Sequence, residues 1–147
     1  MVYTPRLRVR FPGRSAARPP DMNMIKGLGI DSIQLARVAR VHAAYPERFL
    51  ARILTDAERE YVLRYADPVP RIAGRFAAKE ACMKALGTGW GYGVRWRDIE
   101  VGRLPSGKPV VHLHGRAGEL LRTLGATVAH CTITHTDEHA MAVVILE

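Results

Sequence analysis

Residues 75–89 read Arg75-Phe-Ala-Ala-Lys-Glu-Ala-Cys-Met-Lys-Ala-Leu-Gly-Thr-Gly89. Ala77, Ala78, Ala81, Ala85 and Leu86 are strong helix formers. Gly87 stands where a left-handed cap ends a helix. The pattern therefore predicts a central helix that begins at Val69 or Arg71, after the break at Asp67-Pro-Val-Pro70, and stops at Gly87. Phe76, Met83 and Ala73 can turn inward. Glu80 and Lys84 are four residues apart, so they share a face about 6 Å apart along the axis. Two readings of this pair are open. It is an ordinary surface ion pair, or it is one side of a phosphate or metal site completed by Gly87-Thr-Gly89.

Working toward the N-terminus, Met24–Asp31 (Met-Ile-Lys-Gly-Leu-Gly-Ile-Asp) predicts a short strand with Asp31 at its C-terminal end. There Asp31 either caps the following helix or presents a carboxylate to a ligand. Ser32–Ala43 places Ile33, Leu35, Ala36, Val38 and Ala39 among polar residues, which fits a helix with Arg37 and Arg40 on one side. Glu47–Leu54 adds a second helical segment carrying Arg48, Phe49 and Arg52. This basic face with an exposed Phe is either a docking surface for an acidic partner helix or a solvated face. Thr55-Asp-Ala-Glu58 is a capping box, predicting a helix that runs to about Tyr65.

Beyond Gly89 the chain turns to β. Trp90–Arg95 reads as a loop. Asp98–Leu104 and Pro109–His114 alternate around the turn Pro105-Ser-Gly-Lys108, which predicts a hairpin. Arg116–Leu124 is a short amphipathic helix closed by Gly125. Val128–Thr136 and His139–Leu146 form a second hairpin around Asp137-Glu138. The order βααα then ββαββ is an α+β layout, antiparallel strands packed with helices in a single domain.

The chain has 147 residues and a net charge of +8. Five arginines against Asp21 put +4 of this into residues 1–23, and the remaining 17 basic and 13 acidic residues supply the other +4. Residues 1–23 read as a basic, disordered extension, and residues 24–147 as the folded domain. The extension has no apolar core of a secretory signal. A start of translation at Met22 or Met24 would leave it out altogether. It lacks the regular aromatic interleaving of single-strand binders, so nucleic acid is not the expected partner. No apolar run approaches the roughly 20 residues of a membrane helix, so no membrane is expected. Cys82 and Cys131 sit in apolar contexts and read as reduced core thiols, which points to the cytoplasm. The basic balance of the domain suits an acidic partner or a phosphorylated ligand.

The chemistry-bearing motifs narrow quickly. His112 and His114 share a strand face, and His135 and His139 flank a turn, but neither pair has zinc-site spacing. No nucleophile elbow, Walker lysine loop or dinucleotide fingerprint is present. Asp31, Glu80, Lys84 and the Gly87-Thr-Gly89 loop remain. Two carboxylates with phosphate oxygens and waters make a usual Mg²⁺ site. Lysines and backbone N–H groups can hold the remaining phosphate charge. On these residues alone, a non-catalytic basic module gripping an acidic protein or nucleic acid is the rival.

Five blocks then carry a resemblance. They are Gly29-Ile-Asp31 with Arg37 six residues after Asp31, the stretch Arg75–Gly89, Trp96-x-Asp-Ile-Glu-Val101, Gly107-Lys-Pro109 and Ile133-Thr-His135. In this order they closely resemble the holo-[acyl-carrier-protein] synthases, the small single-domain 4′-phosphopantetheinyl transferases. The resemblance runs from about Met24 to the C-terminus and implies that family's fold. It implies coenzyme A and an apo acyl carrier protein as substrates, with Mg²⁺ as cofactor. The family's metal-binding carboxylates fall on Asp31 and Glu80. Its coenzyme A contacts fall on Lys84, Gly87, Thr88 and His135, with Arg75 and Lys79 nearby. The carrier-docking helix falls on Arg37, Arg40, Arg48, Phe49 and Arg52. Asp31, Glu80 and Lys84 are the expected catalytic residues, with Glu80 or Asp31 taking the carrier serine's proton through a water. The family is typically trimeric, with sites between subunits. Two positions depart from its pattern: Thr132 replaces a common serine, and Trp90-Gly-Tyr-Gly93 lies in variable territory at the pocket rim.

Overall fold

A computed structural model describes residues 24–147, and the expected extension over 1–23 lies outside the described residues. Strand β1 (Gly27–Gln34) leads into helices α1 (Leu35–Ala44), α2 (Pro46–Ile53) and α3 (Asp56–Leu63), and then into the long α4 (Val69–Leu86). A 3-10 turn at Trp96–Asp98 precedes β2 (Ile99–Arg103) and β3 (Pro109–Leu113). Helix α5 (Gly115–Thr123) and strands β4 (Ala129–His135) and β5 (His139–Leu146) complete the chain. One antiparallel sheet has the order β1-β5-β4, and β2 and β3 form a second. This is the expected α+β arrangement of antiparallel strands and helices.

Helix α4 ends as its sequence predicts. Gly87 adopts φ 74°, and its N–H and that of Thr88 return to the carbonyls of Lys84 and Met83. The helix is the centre of the core: Ile72, Ala73, Ala77, Ala78, Ala81 and Cys82 are fully buried. It packs chiefly on β1 and β5. The Thr55 capping box is present, with both reciprocal hydrogen bonds formed.

The first strand needs correction. It spans Gly27–Gln34 rather than ending at Asp31, and α1 starts at Leu35 rather than Ser32. The reason is tertiary. The β1 ladder continues on β5 from Gly27↔Leu146 as far as Gln34↔His139. Ile33, which local spacing assigns to a helix, instead continues the inward set of the strand and is 7 % exposed. Asp31 therefore lies inside the strand and is not an N-cap.

Candidate active site

The site is built where β1 crosses α4. Strand alternation turns Gly29, Asp31 and Ile33 toward the helix and Leu28, Ile30 and Ser32 away from it. A two-residue strand step of about 6.7 Å is close to one helical turn. Gly27 accordingly meets Ala85, and Gly29 meets Ala81, so close that a Cβ on Gly29 would lie 1.9 Å from the Ala81 carbonyl oxygen. One further step brings Asp31 to the next turn up. Helical side chains lean toward the N-terminus, so Glu80 and Lys84 both reach back toward Asp31.

Lys84 Nζ donates to Asp31 Oδ1 at 2.8 Å and to the Ile30 carbonyl at 2.9 Å. Its ionic partner in the fold is thus Asp31 rather than Glu80. Asp31 and Glu80 line one cleft of about 160 Å³ with Ser32, Ile33, Arg37, Phe76 and Trp90. Glu80 is 9 % exposed, and its Oε1 is buried with no hydrogen-bond partner. Burial raises its pKa above the usual carboxylate value, and the charge of Asp31 adds to the rise. The Trp90 indole N–H and the Lys84 ammonium oppose it. A buried carboxylate oxygen with no partner, facing a second carboxylate, is a donor set that suits a hard divalent cation. Among the described residues no group of three or more His, Cys, Asp or Glu converges. Two carboxylates with the rest of the shell left to phosphate and water is the manner in which proteins hold Mg²⁺.

The other expected ligand contacts divide. Arg75 and His135 do not line this cleft. They line a separate cavity of about 300 Å³ with Tyr61, Arg71, Gly74 and Arg103. Arg75 is 6 % exposed, lies over the Tyr61 ring at 4.2 Å, and has a buried Nε without a partner. Burial alone would raise the Tyr61 pKa, but hydrogen bonds with Tyr65 and Arg103 and the charges of Arg103 and Arg75 bring it down to about 8. A cavity ringed by three guanidinium groups and an imidazole is suited to an anion.

Three expectations are corrected. Lys79 is fully buried, and its ammonium donates to Glu58 at 2.7 Å and to the Trp96 carbonyl at 3.0 Å, so it faces the core rather than a ligand. Glu58 also accepts from the Val101 and Thr55 amides, which joins α3, α4 and β2 through one carboxylate. The Gly87 and Thr88 amides close α4 and are not turned to a phosphate. Phe49 is not exposed but packs partly buried on the core. Arg40, Arg48 and Arg52 are exposed, as expected of a docking face. Arg37 is exposed too, and it also reaches the carboxylate cleft, so it links that face to the site.

Sequence reasoning missed Glu58 as a core ion and Tyr61 as an acidified phenol, whereas Trp90, expected at the pocket rim, does line the cleft. The capping box marked Glu58, but a capping role and a buried ion pair leave the same local signature. Burial keeps both thiols protonated, with Cys82 pushed up to about 12 and Cys131 to about 11.

Comparison with known proteins shows the family. The model of the 4′-phosphopantetheinyl transferase superfamily matches residues 27–144. The holo-[acyl-carrier-protein] synthase of Koribacter versatilis is 48 % identical over 124 residues, covering 84 % of this chain and 99 % of that protein. The synthase of Natranaerobius thermophilus is 43 % identical over 123 residues, with 84 % and 98 % covered. Among solved structures, holo-[acyl-carrier-protein] synthase from Neisseria meningitidis superposes with a TM-score of 0.78 at 33 % identity, covering 84 % of this chain and 99 % of that one. The Helicobacter pylori synthase in complex with coenzyme A gives 0.71 at 31 % identity, covering 82 % and 99 %. With the match spanning both β1 and α4, and so the crossing that builds the carboxylate cleft, the chain belongs to the 4′-phosphopantetheinyl transferase superfamily.

Proposed function

We propose that this chain transfers the 4′-phosphopantetheine group of coenzyme A to a serine of an apo acyl carrier protein. The observation that carries the proposal is the convergence of Asp31, Glu80 and Arg37 on one cleft, with Lys84 paired to Asp31 and Glu80 Oε1 buried and unpartnered. The serine oxygen attacks the β-phosphorus of coenzyme A. The bond from that phosphorus to the bridging oxygen breaks, adenosine 3′,5′-bisphosphate leaves, and the serine proton goes to the Asp31–Glu80 pair. Mg²⁺ held by Asp31 and Glu80 would supply charge neutralisation at the pyrophosphate. Lys84, half exposed above Asp31, is placed to share its ammonium with a phosphate. The exposed Arg40, Arg48 and Arg52 would steer an acidic carrier to the cleft and make its association salt-sensitive. The same reading places the protein in the cytoplasm, with coenzyme A and newly made carriers, in keeping with its two free buried cysteines.

A homotrimer with sites between subunits is part of the same proposal. The outward face of the β1-β5-β4 sheet exposes Leu28, Ile30 and Met141, at 64 %, 54 % and 40 %, beside the polar Ser32, Thr132 and Thr134. Such a face is suited to burial against another copy. The cavity of Arg75 and His135 is separate from the carboxylate cleft within one chain, and an interface offers a way to join the two into one coenzyme A site.

The decisive test incubates the protein with coenzyme A, Mg²⁺ and a panel of apo carriers. The expected result is a mass gain of about 340 Da on a carrier, with release of adenosine 3′,5′-bisphosphate. No gain on any carrier would overturn the reading. Co-expressing inactive Glu80→Gln with inactive His135→Ala should restore activity if sites are shared between copies. Its absence in mixed assemblies would confine the site to one chain.

A further inference from the structure

Three guanidinium groups line the cavity of His135: those of Arg71 and Arg75 from α4 and of Arg103 from the end of β2. None of them forms a salt bridge among the described residues. Glu58, whose charge reaches Arg75, is already paired with Lys79. Tyrosines stand where carboxylates would be expected. Arg71 lies over the Tyr65 ring at 3.3 Å, and Arg75 over the Tyr61 ring at 4.2 Å. Arg103 Nη1 donates to the Tyr61 hydroxyl at 2.6 Å, while its Nε donates to the Gly107 carbonyl at 3.0 Å. Tyr65 donates to the same Tyr61 oxygen at 3.2 Å. Tyr61 thus holds one arginine through its ring and another through its oxygen. Its own place is fixed from the core: it lies about one turn beyond Glu58 on α3, and Glu58 is bound by Lys79 and the Val101 amide. A carboxylate at this position would also hold the arginines, but it would cancel part of their charge. A phenol orients a guanidinium and leaves that charge to the cavity. Arg75 is 6 % exposed with its Nε unpartnered, so the cluster is a built site rather than a solvated surface.

We propose that Tyr61 is a positioning residue for this anion cavity: its hydroxyl fixes Arg103 and its ring supports Arg75, so that both meet a bound phosphate group in a set geometry. Without that hydroxyl the exposed Arg103 must be ordered when the ligand binds, which weakens affinity. The proposal rests on the reading that this cavity takes an anionic part of coenzyme A.

The probe is adenosine 3′,5′-bisphosphate, titrated by calorimetry into the full chain without divalent cations, so that metal at the carboxylate cleft does not enter the result. Arg103→Met should bind it at least about tenfold more weakly than the parent. Tyr61→Phe keeps the ring under Arg75, removes only the oxygen, and should bind about fivefold more weakly. The double variant of Tyr61→Phe and Arg103→Met should bind as Arg103→Met does, because the hydroxyl acts through Arg103. In turnover, Tyr61→Phe should raise KM for coenzyme A about fivefold and leave KM for the carrier near the parent value. Circular dichroism and thermal melts check that each variant folds. Tyr61→Phe with parental affinity, or losses that add in the double variant, overturns the role of Tyr61 alone. A parent that does not bind the probe, or whose affinity survives both Arg103→Met and Arg75→Met, removes the reading of this cavity as a coenzyme A site and this proposal with it. Transfer to a carrier is then still decided by the carrier assay.

Discussion

Replacing Gly29 with Ala tests the step on which the whole site depends. The added Cβ would lie 1.9 Å from the Ala81 carbonyl oxygen, 2.7 Å from the Ala85 nitrogen and 2.9 Å from the Ala81 carbonyl carbon. All three are backbone atoms, so no rotamer change relieves them. Ordinary contact begins at 3.4 Å, and β1 and α4 must therefore separate by about 1.5 Å. Overpacking of this kind costs about 1–3 kcal/mol. For a domain of this size, 2 kcal/mol lowers the melting temperature by roughly 6–10 °C. The catalytic cost should be larger than the thermal one. Asp31 is two residues along the same strand, while Glu80 and Lys84 are on the helix, so the same displacement parts the carboxylates. Misplacement of reacting groups by about 1 Å costs on the order of a hundredfold in rate. The assay pairs thermal melts with turnover on an apo carrier, using Gly102→Ala as a control. There the new Cβ meets only a Val110 methyl at 3.2 Å, and both readouts should stay near the parent. Gly29→Ala with parental melting and turnover would refute the claim that this crossing builds the site.

Three further outcomes are expected. Glu80→Gln should reduce turnover by at least about a hundredfold while thermal melting changes little, since it removes a metal ligand rather than a packing group; near-normal turnover at saturating Mg²⁺ would reject the ligand role. Lys79→Met should destabilise the fold by about 3–5 kcal/mol in denaturant titration, because it strands Glu58 as an unpaired charge in the core; a change under about 1 kcal/mol would mean that the pair adds nothing to the fold. One tyrosine should ionise at about pH 8 in ultraviolet titration and disappear in Tyr61→Phe. The unfolded phenol stays protonated to about 10, so ionisation of Tyr61 adds stability as pH rises through 8 to 10 and is lost again as it falls. A titration without this early component would show that the arginines around Tyr61 do not act on it.

Much of the architecture was legible because its signals are local. The α4 boundaries follow from Pro70 and Gly87, the Thr55 capping box starts α3, and the two C-terminal hairpins follow from alternation around short turns. Residues whose role depends on what lies across the core were not legible in the same way. The family resemblance puts Lys79, next to Glu80 in the chain, near the ligand contacts. The helix instead turns it inward, to a Glu58 that is 21 residues away in the chain. Arg75 and Lys84 lie on one helix, yet they serve different cavities.

By itself the sequence determined that a small-residue helix carries an acid and a base, that Asp31 is available to them, and that the order of blocks is that of one family. These properties are written in residue type and short spacing. Only the tertiary structure decided that Asp31 lies within a strand, since pairing with β5 holds Ile33 extended against its helical context. It also assigned the close approach to Gly27 and Gly29 as much as to the alanines of α4, because contact between backbones requires that neither side carry bulk. The pairing of Lys84 with Asp31, leaving Glu80 Oε1 without a hydrogen-bond partner, follows from that approach, and no spacing along the chain encodes it.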